Sequence, residues 1–383
     1  MHESLKANLR EIEQAQRWRR RRILTSPQGA QITVDGRPFL SFCSNDYLGL
    51  ANHPEVVAAA QEGIARYGVG SGAAHLVSGH FEPHHALEEE LARFTGRKRA
   101  VLFSTGYMAN LGIISALVRR AEGILQDRLN HASLIDGAIL ARARLRRYRH
   151  RDIAQVERRL AAAGKAIRLV VTDGVFSMDG DMAPLPALAK LCREHDAWLI
   201  VDDAHGLGVL GETGRGSLEH FGLSAVDVPV LMGTLGKAFG TFGAFVAGGD
   251  DLIETLIQQA RTYIYTTAVP PAIALATVAS LRVAQQETWR RERLQELVRH
   301  FRDKVAPLGF ALTDSNTPIQ PLIIGDSAQA VALSARLEQH DILVPAIRPP
   351  TVPEGSARLR ITFSAAHELE HVDRLIDALG ACA

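Results

Sequence analysis

The chain has 383 residues, 46% hydrophobic and 22% charged, with a formal net charge of +1. That is the composition of an ordinary globular protein, long enough for one large domain and a smaller one. The near-zero charge argues against nucleic acid as the main partner, and no apolar run approaches the ~20 residues that span a bilayer.

The N-terminus, MHESLKANLREIEQ, has no apolar signal core, so a cytoplasmic location is expected. Residues 1 to about 24 read as one helix ending in a basic cluster, Arg17 and Arg19 to Arg22. Ile32 to Leu40 reads as a hairpin turning at Asp35-Gly36. Ser44-Asn-Asp-Tyr-Leu-Gly49 follows, either an Asx turn before a helix or part of a site. Tyr67-Gly-Val-Gly-Ser-Gly-Ala73 is glycine-rich but follows no strand, which excludes a dinucleotide fingerprint. Glu82 to Thr95 is an amphipathic helix.

Ala100 to Asn110 reads as strand, tight turn and helix start. The N–H groups at Gly106 and Tyr107 either receive a phosphate or simply join strand to helix. Asp127 to Ser133 carries His131, and Arg142 to Arg151 reads as a solvated basic stretch. From Arg168 onwards, apolar strands at 168–173, 198–202, 230–233 and 243–247 alternate with helical patterns. This predicts an α/β fold with a mostly parallel central sheet flanked by helices.

Residues 272–304 read as one long helix leading into a smaller α+β domain. Its expected strands are 320–325, 342–348 and 357–363, with helices at 327–340 and 366–380. The expected domains are an arm, 1–45, a large domain, 46–271, and a small one, 272–383. Cys43, Cys192 and Cys382 show neither disulfide nor zinc spacing, so they read as free packing thiols, and no metal is expected.

The chemistry concentrates at three strand ends. Val230 to Gly240 ends a buried strand in Gly-Thr-Leu-Gly and then Lys237, an amine in a tight space that can lose its proton and form a Schiff base. Trp198 to His205 ends another strand with Asp202, Asp203 and His205, and Leu169 to Gly180 a third with Ser177 in its loop. Ligands of open parallel sheets bind outside such carboxyl ends. A lysine with an aspartate to face a pyridinium nitrogen is the usual protein equipment for pyridoxal phosphate.

DGVFSMDGD, VDDAHGLGVLG and TLGKAFG resemble the α-oxoamine synthases, fold-type-I pyridoxal phosphate enzymes, and the likeness runs along nearly the whole chain. The resemblance implies that Lys237 holds the cofactor and acts as base, and that Asp202 faces the pyridine nitrogen. It implies that His205 and Ser177 meet the ring hydroxyl, and that His131 stacks on the ring and donates a proton. Gly106, Tyr107 and Thr234 would bind the phosphate, and Thr266 and Thr267 the phosphate of a neighbouring subunit in a homodimer with active sites at its interface.

For substrate it implies Arg20 or Arg21 at the acyl group, Asn45 and Arg360 near the amino-acid carboxylate, and a contact from Thr351. The stretch Ile347 to Pro353 favours the member that joins L-alanine to a pimeloyl thioester, on CoA or acyl carrier protein, in biotin synthesis. A sister activity on glycine and acetyl-CoA shares every cofactor residue named.

Overall fold

The alternation of apolar runs with amphipathic stretches folds as α/β structure, which a computed structural model describes for residues 1–14 and 17–382. The strands among them are β1 (Gln31–Val34), β2 (Arg37–Ser41), β3 (Arg99–Phe103), β4 (Gly123–Asp127), β5 (Arg144–Tyr148), β6 (Ile167–Asp173) and β7 (Trp198–Asp202). They continue with β8 (Val230–Thr234), β9 (Ala244–Gly248), β10 (Ala311–Leu312), β11 (Ile319–Gly325), β12 (Ile342–Leu343), β13 (Ala346–Ile347) and β14 (Ala357–Thr362). Two compact units result, one of residues 46–177 and 181–292, the other of 1–45, 178–180 and 293–383.

The larger unit is built on a seven-stranded sheet in the order β3-β9-β8-β7-β6-β4-β5. Neighbours from β8 to β5 are parallel, and β9 runs antiparallel to both β8 and β3. Both faces are apolar, so helices must cover both. The helices Gly106–Leu117, Ala132–Leu140 and Asp250–Gln259 pack Ile113, Leu134 and Leu256 on one face. Ile153–Ala163 and Leu185–Glu194 pack Leu160 and Leu188 on the other. The carboxyl ends of β6, β7 and β8 are thereby aligned, with Asp173 opposite Asp202 in the ladder.

Four expectations are corrected. The first helix ends at Gln14, residues 15 and 16 lie outside the described residues, and Arg17–Ile23 is not helical. In a helix, Arg19 and Arg22 would be like-charged neighbours three residues apart, as would Arg17 with Arg20 and Arg21. Instead, Arg22 pairs with Asp35 at 3.1 Å and Glu338 at 2.8 Å, and Leu24 bridges Val34. The stretch 272–304 is two helices, Pro271–Gln286 and Trp289–Val305, parted where Glu287 leaves the helical region at ψ 67°.

The strand expected at 342–348 is likewise two. β12 pairs with β2 and β13 with β14, with Pro345, which has no N–H to give a ladder, between them. The basic stretch 142–151 is an edge strand whose end turns inward. Tyr148 is fully buried, and His150 sits between Asp127 at 3.1 Å and Asp181 at 2.8 Å.

In the smaller unit, the hairpin turns at Asp35 and Gly36, both at positive φ, as expected of a two-residue Asp-Gly loop. A four-stranded sheet, β10-β11-β14-β13, carries the arginines of β14. Its core includes Phe42, Phe301 and Phe363, with His367 stacked on Phe42 at 4.6 Å. Burial pushes His367 down to about 4, so it is a neutral core residue whose Nε2 donates to the Ser41 carbonyl at 2.8 Å. No helix among the described residues is long and apolar enough to cross a membrane.

Candidate active site

Lys237 follows β8 in a turn closed by Gly240 N–H donating to the Lys237 carbonyl at 2.8 Å. The turn presses on its surroundings. A Cβ on Gly240, whose φ is +63°, would lie 2.3 Å from the Ala51 nitrogen, and one on Gly233 2.3 Å from Leu207 Cδ1. At Gly240, where the neighbours are backbone atoms, only glycine fits. Lys237 Nζ is thereby held 2.8 Å from His205 Nε2, and His205 Nδ1 lies 2.7 Å from the Tyr47 hydroxyl. Tyr47 is fully buried, so the imidazole is clamped between an amine and a phenol.

Asp202 ends β7 beside β8 and is buried. Its Oδ1 accepts from Ala204 N–H at 3.0 Å and its Oδ2 from Asn110 Nδ2 at 2.7 Å. Asn110 Nδ2 also donates to Ser133 Oγ at 2.8 Å, and Ser133 Oγ is 2.7 Å from His131 Nδ1. A polar chain therefore joins His131 to Asp202. His131 is partly exposed, yet burial of its ring lowers its pKa, with the charge of Asp202 pulling the other way. Asp173 accepts from His131 N–H at 2.7 Å, and burial followed by the charge of Asp202 raises its pKa well above the usual range.

Asp203 serves a different purpose. It accepts Ser217 N–H at 2.7 Å, and burial pushes it up to about 7. Cβ atoms on Gly206 or Gly216 would fall 2.2 or 2.0 Å from its carboxylate oxygens, so this carboxyl is caged by backbone.

At the start of the helix Gly106–Leu117, Thr105 caps Met108 N–H at 3.2 Å. The N–H groups of Gly106 and Tyr107 point out of the first turn, where no intrahelical acceptor exists. Tyr107 meets His131 edge-on at 6.4 Å and hydrogen-bonds Asp136, which raises its pKa. Thr234 Oγ1 donates to the Gly243 carbonyl at 3.1 Å, and Ser177 lies in the loop closed by the Val175–Met182 bridge. Thr267, beside Thr266, bridges Ala74.

In the smaller unit, Arg358 and Arg360 share a face of β14 but differ in partners. Arg358 is committed to Asp179 at 2.6 Å and to the Met178 carbonyl at 3.1 Å. Arg360 directs Nη1 and Nη2 at Asn45 Oδ1, at 3.3 and 3.4 Å. Arg20 and Arg21 are both exposed, and Arg20 lines a cavity of about 590 Å³ with Trp18 and Arg348. Thr351 is exposed in a turn, its N–H donating to the Arg348 carbonyl at 3.0 Å. Sequence reasoning missed Tyr47, Asn110, Ser133 and Asp173. For Asn110 the available signal is a polar residue within an apolar helix, four positions after Gly106.

A lysine after one strand, a buried aspartate closing the next and a helix N-terminus nearby fit pyridoxal phosphate. Amine, carboxylate and open N–H groups answer its aldehyde, ring nitrogen and phosphate. The fold and site define a fold-type-I pyridoxal phosphate enzyme.

The chain matches the aminotransferase class I and II family over residues 37–379. It is 63% identical to the 8-amino-7-oxononanoate synthase of Nitrosococcus oceani, over 97% of this chain and 98% of that one. It is 60% identical to the synthase of the same name from Cellvibrio japonicus, over 99% and 96%. Among solved structures, serine palmitoyltransferase from S. paucimobilis with a bound PLP–myriocin adduct is similar at TM-score 0.93 and 30% identity, covering 99% of this chain and 96% of that one. The Francisella tularensis 8-amino-7-oxononanoate synthase is similar at TM-score 0.79 and 33% identity, over 90% and 97%. The chain belongs to the class I and II aminotransferase family and, within it, to the 8-amino-7-oxononanoate synthases.

Proposed function

We propose that this chain condenses L-alanine with a pimeloyl thioester, giving 8-amino-7-oxononanoate, CO₂ and free thiol in biotin synthesis. The observation that carries the reading is the Lys237–His205 contact beside Asp202, on a chain more than 60% identical to named synthases along nearly its whole length. The relatives do not favour the glycine and acetyl-CoA alternative.

Pyridoxal phosphate, when bound, supplies an electron sink for the bonds broken at the alanine Cα. Lys237 holds the cofactor through Nζ, then takes the Cα proton and later returns one. His205, steadied by Tyr47, orients Nζ and meets the ring hydroxyl with Ser177. Asp202, held by Asn110 and the Ala204 N–H, would face the ring nitrogen. His131 would pack on the ring face and deliver a proton at the acylation or decarboxylation step. Gly106, Tyr107 and Thr234 take the phosphate, and Thr266 and Thr267 serve the site of the second copy in a cytoplasmic homodimer.

Arg360 and Asn45 take the alanine carboxylate. Arg20, lining a cavity that Arg348 also lines, suits the distal carboxylate of the pimeloyl chain better than Arg21, which does not line it. Thr351 contacts the acyl chain. Thiol release measured with alanine or glycine, each with pimeloyl or acetyl thioesters on CoA or acyl carrier protein, tests the reading. Fast release is expected only for alanine with a pimeloyl thioester. A preference for glycine and acetyl-CoA would overturn it.

A further inference from the structure

Away from Lys237, four imidazoles gather where the turn His75–Gly79 leads into the helix Glu82–Thr95. Two have structural duties. His84 Nδ1 accepts Phe81 N–H at 3.0 Å while its Nε2 donates to the Val269 carbonyl at 2.6 Å. His75 is buried and stacked on Tyr263, with ring centroids 5.2 Å apart. The other two, His80 and His85, are exposed and line a pocket of about 440 Å³ together with Glu88.

We propose that His80, His85 and Glu88 bind a divalent transition metal ion at this pocket. One donor atom from each lies within 4.8 Å of the others. His85 and Glu88 are three residues apart on a helix, hence on one face. Two imidazole nitrogens and one carboxylate oxygen are a donor set for zinc, cobalt or nickel, with water at the open positions. Bonds of ~2.1 Å need donors about 3.4 Å apart, a closure in which exposed His80 and His85 would turn toward Glu88. Turning His85 would give up its exposed 3.3 Å pair with Glu89, a contact of little worth.

Outer contacts are also in place. His80 Nδ1 lies 2.9 Å from His75 Nδ1, so coordination at His80 Nε2 selects the tautomer in which Nδ1–H donates to His75. Glu88 Oε1 accepts Leu102 N–H at 3.0 Å, which aims the carboxylate. The two cations lining the pocket are engaged elsewhere, Lys98 with Asp250 at 3.5 Å and Arg99 with Glu254 at 3.3 Å. The sequence reading expects no metal because it weighs cysteine spacing; this set is His80, His85 and Glu88.

The test uses the untagged, cofactor-loaded full chain, dialysed against a chelator and titrated with Co²⁺, following visible d–d absorption, and with Zn²⁺ in competition with a chromophoric chelator. One saturable site per chain is expected, weakened roughly tenfold or more by His80→Ala or Glu88→Gln, with thiol-release activity of the metal-free variants unchanged. Absence of saturable binding at millimolar metal would overturn the proposal. So would binding that His80→Ala, His85→Ala and Glu88→Gln all leave unaltered.

Discussion

Lys237 Nζ lies 2.8 Å from His205 Nε2, and the other nitrogen of that ring meets the buried Tyr47 hydroxyl at 2.7 Å. The amine is therefore positioned by a ring that is itself positioned. Lys237→Ala should abolish turnover and borohydride fixation of the cofactor to the chain, while circular dichroism stays that of the parent. Near-normal turnover would remove Lys237 from the mechanism.

Tyr47→Phe deletes one hydroxyl and leaves a buried imidazole nitrogen without its partner, a loss of about 1–3 kcal/mol. Since His205 orients Lys237, kcat should fall roughly tenfold or more, with KM for alanine little changed. A change confined to KM would place Tyr47 in substrate binding instead.

Asp202→Asn keeps the shape of a side chain buried against Asn110 but removes its charge. The rate should drop by orders of magnitude as the ring nitrogen loses its counter-charge, with the fold retained. Steady-state kinetics equal to the parent would refute the pyridinium role.

His150 bridges Asp127 and Asp181. Burial lowers its pKa, but the hydrogen bonds to both carboxylates outweigh it and raise it from 6.5 to about 9. A group raised on folding contributes stability that is present in full below pH 6.5 and lost as pH climbs through about 9. His150→Gln should cost up to about 3 kcal/mol in urea unfolding near pH 6, and far less near pH 10. Equal losses at both pH values would contradict a charged bridge.

Gly240→Ala would place a methyl 2.3 Å from the Ala51 nitrogen at a φ of +63°. Backbone on both sides has little room to yield, so a loss of roughly 2 kcal/mol or more is expected. The urea midpoint should fall with an unchanged slope. An unaltered midpoint would mean that the Lys237 turn is free to move.

The sequence by itself determined the alternation of strands and helices in the larger unit, the strand ends that carry Lys237 and Asp202, and the Asp35-Gly36 turn. Those signals are local: a strand's apolar run, a glycine pair before a lysine, two residues that tolerate positive φ. Only the tertiary structure decided which polar groups meet. Asn110, Ser133 and Asp173 reach Asp202 and His131 because the helix Gly106–Leu117 and β6 are laid beside β7. Strand order is not written in any one segment. The same holds for choices between equals: Asp179 takes Arg358 and leaves Arg360 facing Asn45, and the cavity receives Arg20 rather than Arg21. Neighbouring arginines are alike in sequence and differ only in what the folded chain brings to them.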